Sequence, residues 1–383
     1  MRVLMVTGSY PPQRCGVGYY THQLVSELTA SGIEVEVATS RPDRPRDDAN
    51  VRYEVADWRA ATWWRTVGEM ENGRYDLVHV QYPARHYGYR PDLALLTLAL
   101  KCRLPGVPLV VTVHEFSITH ILRKLTVAAI AAPAAAVVTT ADSERSNLLR
   151  WLPWLQSRIS VIHVATNISR LPVSADRRRE VRSQYGVDDK DALVVFFGLL
   201  HQNKGVRRVL ETFAVVRASH PGARLLMLTE FKPEENVFHA ELDSLTKLLH
   251  ISDAVIWKDF RDSTLVSELL SSSDIAFMPF EDGVTLRRTS FMAVMGHGLP
   301  AVTTVGRDNP EKFGLEHARN AYLLRQSASA DELAGAISHL IGEGMHRKEV
   351  GAAALKWSEP FTWNSIVHKT RKVYQSVLRS APQ

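Results

Sequence analysis

The stretch Met278–Thr304 reads MPFEDGVTLRRTSFMAVMGHGLPAVTT and divides into four pieces. Asp274–Pro279 (DIAFMP), which runs into it, has an apolar centre and a closing proline, which predicts a buried strand. Glu281–Arg288 is a polar turn around Gly283, with two acids at its start and two arginines at its end. Thr289–His297 predicts a short helix: Thr289 or Ser290 stands where a cap belongs, Phe291, Met292, Val294 and Met295 supply a buried face, and Gly298 stops it. Leu299–Thr304 returns as a buried strand. A loop that leads from a strand into a helix N-terminus attracts anions, because unpaired backbone N–H groups and the helix dipole point into it. Arg287 and Arg288 stand just ahead of that N-terminus. Two readings stay open on these residues alone: an anion site, or an ordinary strand–loop–helix unit with two solvated arginines.

The residues upstream repeat the pattern. Ala192–Phe197 (ALVVFF) predicts a strand, Gly198–Gly205 a loop, and Val206–Arg217 an amphipathic helix. Lys204 and the backbone around Gly205 face that helix N-terminus, a second phosphate-type arrangement. Arg224–Thr229 predicts a strand ending at Glu230, and Val255–Trp257 another ending at Lys258-Asp259-Phe260. Leu265–Ser272, Asp331–Glu343, Arg347–Lys356 and Phe361–Leu378 predict helices, the last with Trp363 and Tyr374.

The first part of the chain forms a similar series. Arg2–Thr7 (RVLMVT) predicts a parallel-type strand, broken by Gly8-Ser9-Tyr10-Pro11-Pro12. Cys15-Gly16-Val17-Gly18 then precedes a helix over Tyr19–Ala30. Glycine there permits close backbone approach to a ligand, but the third glycine of a dinucleotide fingerprint is missing, and a structural turn fits equally. Strands are predicted at Glu34–Thr39, Val51–Val55, Asp76–Gln81, Pro108–Val113, Ala136–Thr140 and Ile159–His163; helices at Trp58–Glu71, Pro91–Leu104, Ala128–Ala135 and Ser143–Arg150. His114 falls just past a strand's carboxyl end, where α/β proteins place ligands; it is either a catalytic group or a strand-end histidine bonded to backbone. The spacing of His114 and His120 excludes the HExxH metal motif.

Composition bounds these readings. The 383 residues are 45% hydrophobic and 23% charged, enough for two globular domains. Two cysteines, Cys15 and Cys102, make no disulfide framework and point to a reducing, cytoplasmic setting, and no secretory signal precedes the first strand. The net charge of +5 suits an acidic ligand or an anionic membrane face without choosing between them. Nucleic acid is not expected, because the arginines are scattered rather than interleaved with aromatics. Arg177–Arg179 reads as a solvated helix face, and Asp189-Lys190-Asp191 as a turn at the amino end of a strand rather than a metal motif.

Two successive β/α series imply two Rossmann-like α/β domains facing an interdomain cleft. The sequence here resembles a family 4 glycosyltransferase of GT-B fold over nearly its full length. VTGSYPPQRCGVGYYTHQLVSELTASGIEVEVAT (Val6–Thr39) is similar to the family's first strand, glycine loop and helix. DLVHVQYP and VVTVHEF are similar to strands of its acceptor domain, and FFGLLHQNKGVRRVLETF to its loop with a phosphate-binding lysine. STLVSELLSSSDIAFMPF with AVMGHGLPAVTT matches the donor segment, and FTWNSIVHKTRKVYQSVL the terminal helix that crosses back. The resemblance implies an acceptor domain over 1–170, a connection over 171–191, a donor domain over 192–362 and the returning helix over 363–383.

It also implies sugar transfer from a nucleotide diphosphate sugar to a small-molecule or glycan acceptor, with retention, no metal and no other cofactor. Lys204 would bind the diphosphate, Gly16, Val17, Gly18 and Gly198 would let backbone approach, and Thr289 and Ser290 would add donors. His114 would contact the donor sugar or help to position the reacting centre. Glu230, Phe260 and Gly283 are further donor-side candidates, and Tyr82, Arg85, His86 and Phe116 acceptor-side ones.

The sequence departs from the family pattern at three positions. Leu199 stands where an arginine is usual, and Thr285 and Ala293 where two glutamates eight residues apart are usual. The expectation is that Arg287 or Arg288 replaces the arginine, Arg287 taking a catalytic part, and that Glu281 or Asp282 replaces a carboxylate. The rival reading is a GT-B pseudoenzyme or binding protein that has lost transfer; a GT-B epimerase or phosphorylase has less to support it. Membrane contact and oligomeric state are left open.

Overall fold

The computed structural model describes residues 1–380 apart from 14, 44–46, 89, 118, 167, 260, 261 and 307–312. Phe260, one of the donor-side candidates, therefore lies outside the described residues. The chain packs as two units: Met1–Val164 together with the terminal segment from Trp363, and Ala165–Thr362.

The first unit is built on strands β1 (Arg2–Thr7), β2 (Glu34–Ser40), β3 (Val51–Val55), β4 (Leu77–Tyr82), β5 (Leu109–Val113), β6 (Ala136–Thr139) and β7 (Ile159–Val161). They form one parallel sheet in the order β3-β2-β1-β4-β5-β6-β7. β4 and β5 are buried along their whole length, as expected of strands covered on both faces, which is why they read as mainly apolar runs, with His79, Gln81 and Thr112 as buried polar members. The terminal helix Trp363–Ser380 turns Trp363, Ile366, Val367, Thr370, Val373, Tyr374 and Val377 inward, a three-and-four spacing that puts them on one face. It packs against the helix Gly16–Ala30.

The second unit carries β8 (Leu193–Phe197), β9 (Arg224–Leu228), β10 (Val255–Lys258), β11 (Ile275–Met278), β12 (Ala301–Val305) and β13 (Tyr322–Arg325). They too form a parallel sheet, in the order β10-β9-β8-β11-β12-β13. Strand order reverses between β1 and β4 in one unit and between β8 and β11 in the other. Loops leaving the carboxyl ends on either side of such a reversal diverge and leave a crevice, the place where open α/β sheets bind ligands.

Several local expectations change. The first helix starts at Gly16 rather than Tyr19, so Gly16-Val17-Gly18 is its opening turn and not a loop before it. The segment expected as one helix over Pro91–Leu104 is a 3-10 turn, Pro91–Leu95, followed by the α-helix Leu96–Arg103. The alanine-rich helix runs earlier than expected, over Ile121–Ala131, with the His120 ring accepting the Leu122 N–H at its start.

Residues 171–191 lie in the second unit. Of the arginines expected as a solvated face, Arg179 is exposed and, among the described residues, pairs only with Asp176 on its own helix, whereas Arg177 and Arg178 are half-buried and tied to other elements. Arg177 makes a two-pronged bond to Glu268 (3.1 and 3.0 Å), and Arg178 and Arg182 both bind Asp274 (2.7 and 2.8 Å). Arg182 is only 1% exposed and also donates to the carbonyls of Ser272, Asp188 and Asp191. The reason is geometric: the helix lies across the amino ends of β8 and β11, and Asp274 also accepts the Leu193 N–H (2.8 Å).

Candidate functional site

At the second unit's strand reversal, the loops after β8 and β11 lock together. Gly198 leaves β8 with φ +143°, and a Cβ on it would stand 3.5 Å from Ser290 Oγ. Gln202–Lys204 makes one 3-10 turn, with the His201 ring accepting the Asn203 N–H. Gly205 follows at φ +68°; a Cβ there would lie 1.9 Å from the Pro279 carbonyl oxygen, so only glycine lets the two loops approach. Glu281 N–H closes the contact by donating to the Asn203 carbonyl (3.1 Å).

This packing brings two cations to one ring. Lys204 Nζ lies 5.2 Å, and the Arg288 guanidinium carbon 4.5 Å, from the centre of the fully buried Phe280 ring. Burial, then the charge of Arg288, pushes Lys204 down to about 8, against the pull of Asp282. Burial likewise lowers Arg288; Asp282 opposes the shift and Arg287 adds to it. Three positive groups thus feel one another, and Asp282, ion-paired with Arg288, is the carboxylate that offsets them. Such a cluster is electrostatically poised for an anion.

The helix Thr289–Gly296 begins beside it. The expected cap by Thr289 or Ser290 does not form: Arg288 holds the cap position, without a side-chain bond to the first turn. Ser290 is 8% exposed, and its Oγ has no partner among the described residues. The first N–H groups of the helix and one buried hydroxyl therefore remain to be satisfied. A cavity of about 410 Å³ adjoins Lys204, lined also by Leu199, His201, Asn203, Glu230 and His239.

Glu281 and Asp282, the carboxylates expected as replacements, stand on the loop after β11. Asp282 is committed to Arg288, and Glu281 is exposed, serving the fold through its backbone bonds to Asn203 and Gln326. Ala293 is fully buried and Thr285 half-buried. Glu230 lines the cavity, with Lys232 Nζ 3.5 Å from its carboxylate. Gly283 serves packing: its added Cβ would sit 2.0 Å from the Gly306 nitrogen. Arg288, rather than Arg287, shares the ring with Lys204; Arg287 is half-buried on the same turn. Sequence reading missed Asn236 and His239, although asparagine ahead of an apolar-periodic segment is a cap signal, and Asn236 does cap helix Val237–Leu248.

In the first unit, the loops after β1 and β4 join through Ser9, whose Oγ meets His86 Nδ1 at 2.9 Å and accepts the His86 N–H at 3.1 Å. A Cβ on Gly16 would meet none of the described atoms within 4 Å, whereas one on Gly18 would lie 3.0 Å from the Ser9 backbone. Gly16 thus leaves open space at the helix start, Val17 packs against the core, and Gly18 is a packing glycine. Burial acts to raise the Cys15 thiol, but bonds from the Arg85 N–H, the Ser9 hydroxyl and the Gly18 and Val17 N–H groups outweigh it and leave it lowered.

Arg85 and His86 are exposed. Tyr82 and Phe116, expected on the acceptor side, are 2% and 1% exposed and pack in the core, because strand-end aromatics fill the space beneath the loops. His114 is half-buried, and its side chain bonds Gln81 Oε1 (2.7 Å) rather than backbone. Burial pushes it down to about 3, so the ring is neutral near physiological pH. The fully buried Glu144, unforeseen from sequence, accepts the N–H groups of Phe116 and Ser117 (2.7 and 2.9 Å) and so fixes the loop that follows His114. Among the described residues, no group of three His, Cys, Asp or Glu side chains is placed to hold a metal ion, and no helix is long and apolar enough to cross a membrane.

Residues 15–170 match the model of Glycosyltransferase Family 4, and residues 191–343 that of Glycosyl transferases group 1. A curated relative, an uncharacterized glycosyltransferase of Methanocaldococcus jannaschii, is 20% identical over 98% of both chains. Another, the D-inositol 3-phosphate glycosyltransferase of Pseudarthrobacter chlorophenolicus, is 24% identical over 95% of this chain and 90% of its own. Among solved structures, Anabaena Alr3699/HepE in complex with UDP and glucose superposes with a TM-score of 0.72 at 16% identity, covering 98% of this chain and all of that one. The chain belongs to the GT-B glycosyltransferases of family 4 type.

Proposed function

We propose that this glycosyltransferase takes its sugar from a nucleoside diphosphate donor and passes it to an acceptor hydroxyl or amine with retention and without a metal ion. The observation that carries the reading is the pairing of Lys204 and Arg288 over Phe280, next to an uncapped helix N-terminus and the unpartnered Ser290 hydroxyl. A departing diphosphate concentrates negative charge, and fixed cations with preorganised N–H donors stabilise it as it develops. Arg288 takes the place of the arginine that Leu199 lacks. Glu230, on the cavity wall, is the carboxylate suited to a ribose or sugar hydroxyl. Neutral His114 serves as a hydrogen-bonding contact to substrate rather than a proton donor, and Arg85 and His86 belong to the surface that selects the acceptor. The UDP and glucose held in the Anabaena structure make uridine diphosphate the first nucleotide to test.

The test is a thermal-shift panel of UDP, GDP, ADP, dTDP and CDP on the wild type and Lys204→Ala. A nucleotide that binds the folded state raises the melting temperature by mass action. One base is expected to do so, and Lys204→Ala to abolish the shift. No shift with any of the five would put the pseudoenzyme reading in front.

A further inference from the structure

The first unit holds a line of buried polar side chains that the transfer chemistry above does not use. It starts at His114 Nε2, 2.7 Å from Gln81 Oε1. Gln81 Nε2 lies 3.2 Å from His79 Nε2 and 3.5 Å from Met5 Sδ. His79 Nε2 is also 2.7 Å from Thr112 Oγ1, and His79 Nδ1 is 2.6 Å from the Tyr374 hydroxyl on the terminal helix. Gln81, Tyr374, His79 and Thr112 are between 0% and 2% exposed. The β4–β5 register, with Gln81 opposite Thr112, brings them together.

We propose that Gln81 is a positioning residue that holds the proton of His114 on Nε2, and that the hydrogen-bond chain enforcing this choice runs through His79 to Tyr374. The inference rests on the reading of His114 as a substrate contact. Both histidines are neutral, so each ring has one donor and one acceptor nitrogen. When Gln81 Oε1 accepts from His114 Nε2–H, the Gln81 amide N–H groups face His79 Nε2 and Met5 Sδ. His79 Nε2 is then the acceptor, its one lone pair taking the Thr112 O–H at 2.7 Å and shared with the longer Gln81 N–H contact at 3.2 Å, and His79 Nδ1–H donates to the Tyr374 oxygen. The reversed amide would set its oxygen against the Met5 sulfur, acceptor against acceptor, and the sulfur selects the first arrangement.

The consequence falls on the other side of the His114 ring. Nδ1 takes no hydrogen bond from the described residues and keeps its lone pair. It can accept from a substrate hydroxyl and cannot donate to one.

The test uses full-length protein with nitrogen-15 histidine, read by long-range proton–nitrogen correlation of the imidazole rings, beside donor turnover and UDP binding. In the wild type, His114 Nδ1 is expected to show the shift of an unprotonated nitrogen and Nε2 that of a protonated one. Gln81→Leu should move both toward tautomer averages and lower kcat about fivefold to tenfold, with UDP affinity unchanged. Gln81→Glu, whose carboxylate still accepts from Nε2–H, should restore the wild-type pattern and raise the His114 pKa. Tyr374→Phe, which orphans His79 Nδ1–H, should shift the His114 nitrogens in the same direction as Gln81→Leu. A wild-type ring protonated on Nδ1 would overturn the proposal whether or not Gln81→Leu folds. So would His114 shifts that neither Gln81→Leu nor Tyr374→Phe alters. Because the tautomer is read without substrate, a protein that transferred no sugar would refute the functional reading and leave this inference separately decided.

Discussion

Lys204 and Arg288, from loops on either side of the β8–β11 reversal, share the buried ring of Phe280 at 5.2 and 4.5 Å. Two cations that repel each other persist there because the loops are locked by Gly205 and because Asp282 offsets part of the charge. Each should contribute about 1.5–3 kcal/mol to holding a diphosphate, the range of a bond to a charged group. Lys204→Ala and Arg288→Ala are each expected to raise the donor KM by about tenfold to a hundredfold. Arg287→Ala should cost less than Arg288→Ala, since Arg287 does not share the ring. The opposite ranking in steady-state kinetics would return the principal role to Arg287.

The same pair gives a pH signature. Lys204 titrates at about 8 in the fold against an ordinary 10.5. Below about 8 the ammonium is carried at full cost in the folded state. Between 8 and 10.5 the folded group is neutral while the unfolded one stays charged, so this destabilising contribution is relieved as pH rises through that window. A bound diphosphate favours the ammonium. UDP affinity should therefore be level below about pH 8 and fall up to about tenfold per unit above it. Arg288→Ala removes a charge that depresses Lys204 and should move the break to higher pH. Calorimetric titration across about pH 6.5 to 9.5 measures both, and a flat profile in the wild type would contradict the assignment.

Ser290 offers a sharper separation of stability from binding. Its hydroxyl is buried and unpartnered, so Ser290→Ala removes an unsatisfied group and leaves a methyl where an apolar neighbourhood already exists. The melting temperature without nucleotide should stay level or rise. UDP affinity should fall about tenfold, the value of one hydrogen bond to a charged oxygen at the low end of its range, about 1.5 kcal/mol. A variant that loses stability and keeps its affinity would show the hydroxyl to be structural.

Much of this was legible in the sequence. The alternation of apolar strands, glycine-bearing loops and helices pointed to both parallel sheets, because strands buried on both faces read as near-continuous apolar runs. The positions of Lys204 and His114 at strand ends followed from the same alternation. Other features depend on tertiary partners that local sequence does not name. Tyr82 and Phe116 looked like loop residues but fill the core, and Asp282 looked free but belongs to Arg288. The arginines of helix Ala175–Gln184 carried a surface composition, and Asp274, far along the chain, holds two of them, Arg178 and Arg182, against the rest of the second unit. Charge spacing on one helix cannot reveal a partner nearly a hundred residues away, as the separation of 92 between Arg182 and Asp274 illustrates.

That last pair yields the clearest stability prediction. Arg182 is enclosed, bonded to Asp274 and to three carbonyls, and its loss would leave Asp274 with Arg178 as its remaining cation. Removing one partner of a buried ion pair costs about 3–5 kcal/mol, mainly through the charge left behind. Because Arg178 and the Leu193 N–H still serve Asp274, Arg182→Leu should fall near the lower end, about 3 kcal/mol. The double variant Arg182→Leu/Asp274→Leu should lose less than the sum of the two single losses, since neither charge then remains unpaired. Urea unfolding followed by a probe within the second unit measures each value. Additive losses would mean that the two side chains act independently, and that helix Ala175–Gln184 is held by Arg177 and Glu268 instead.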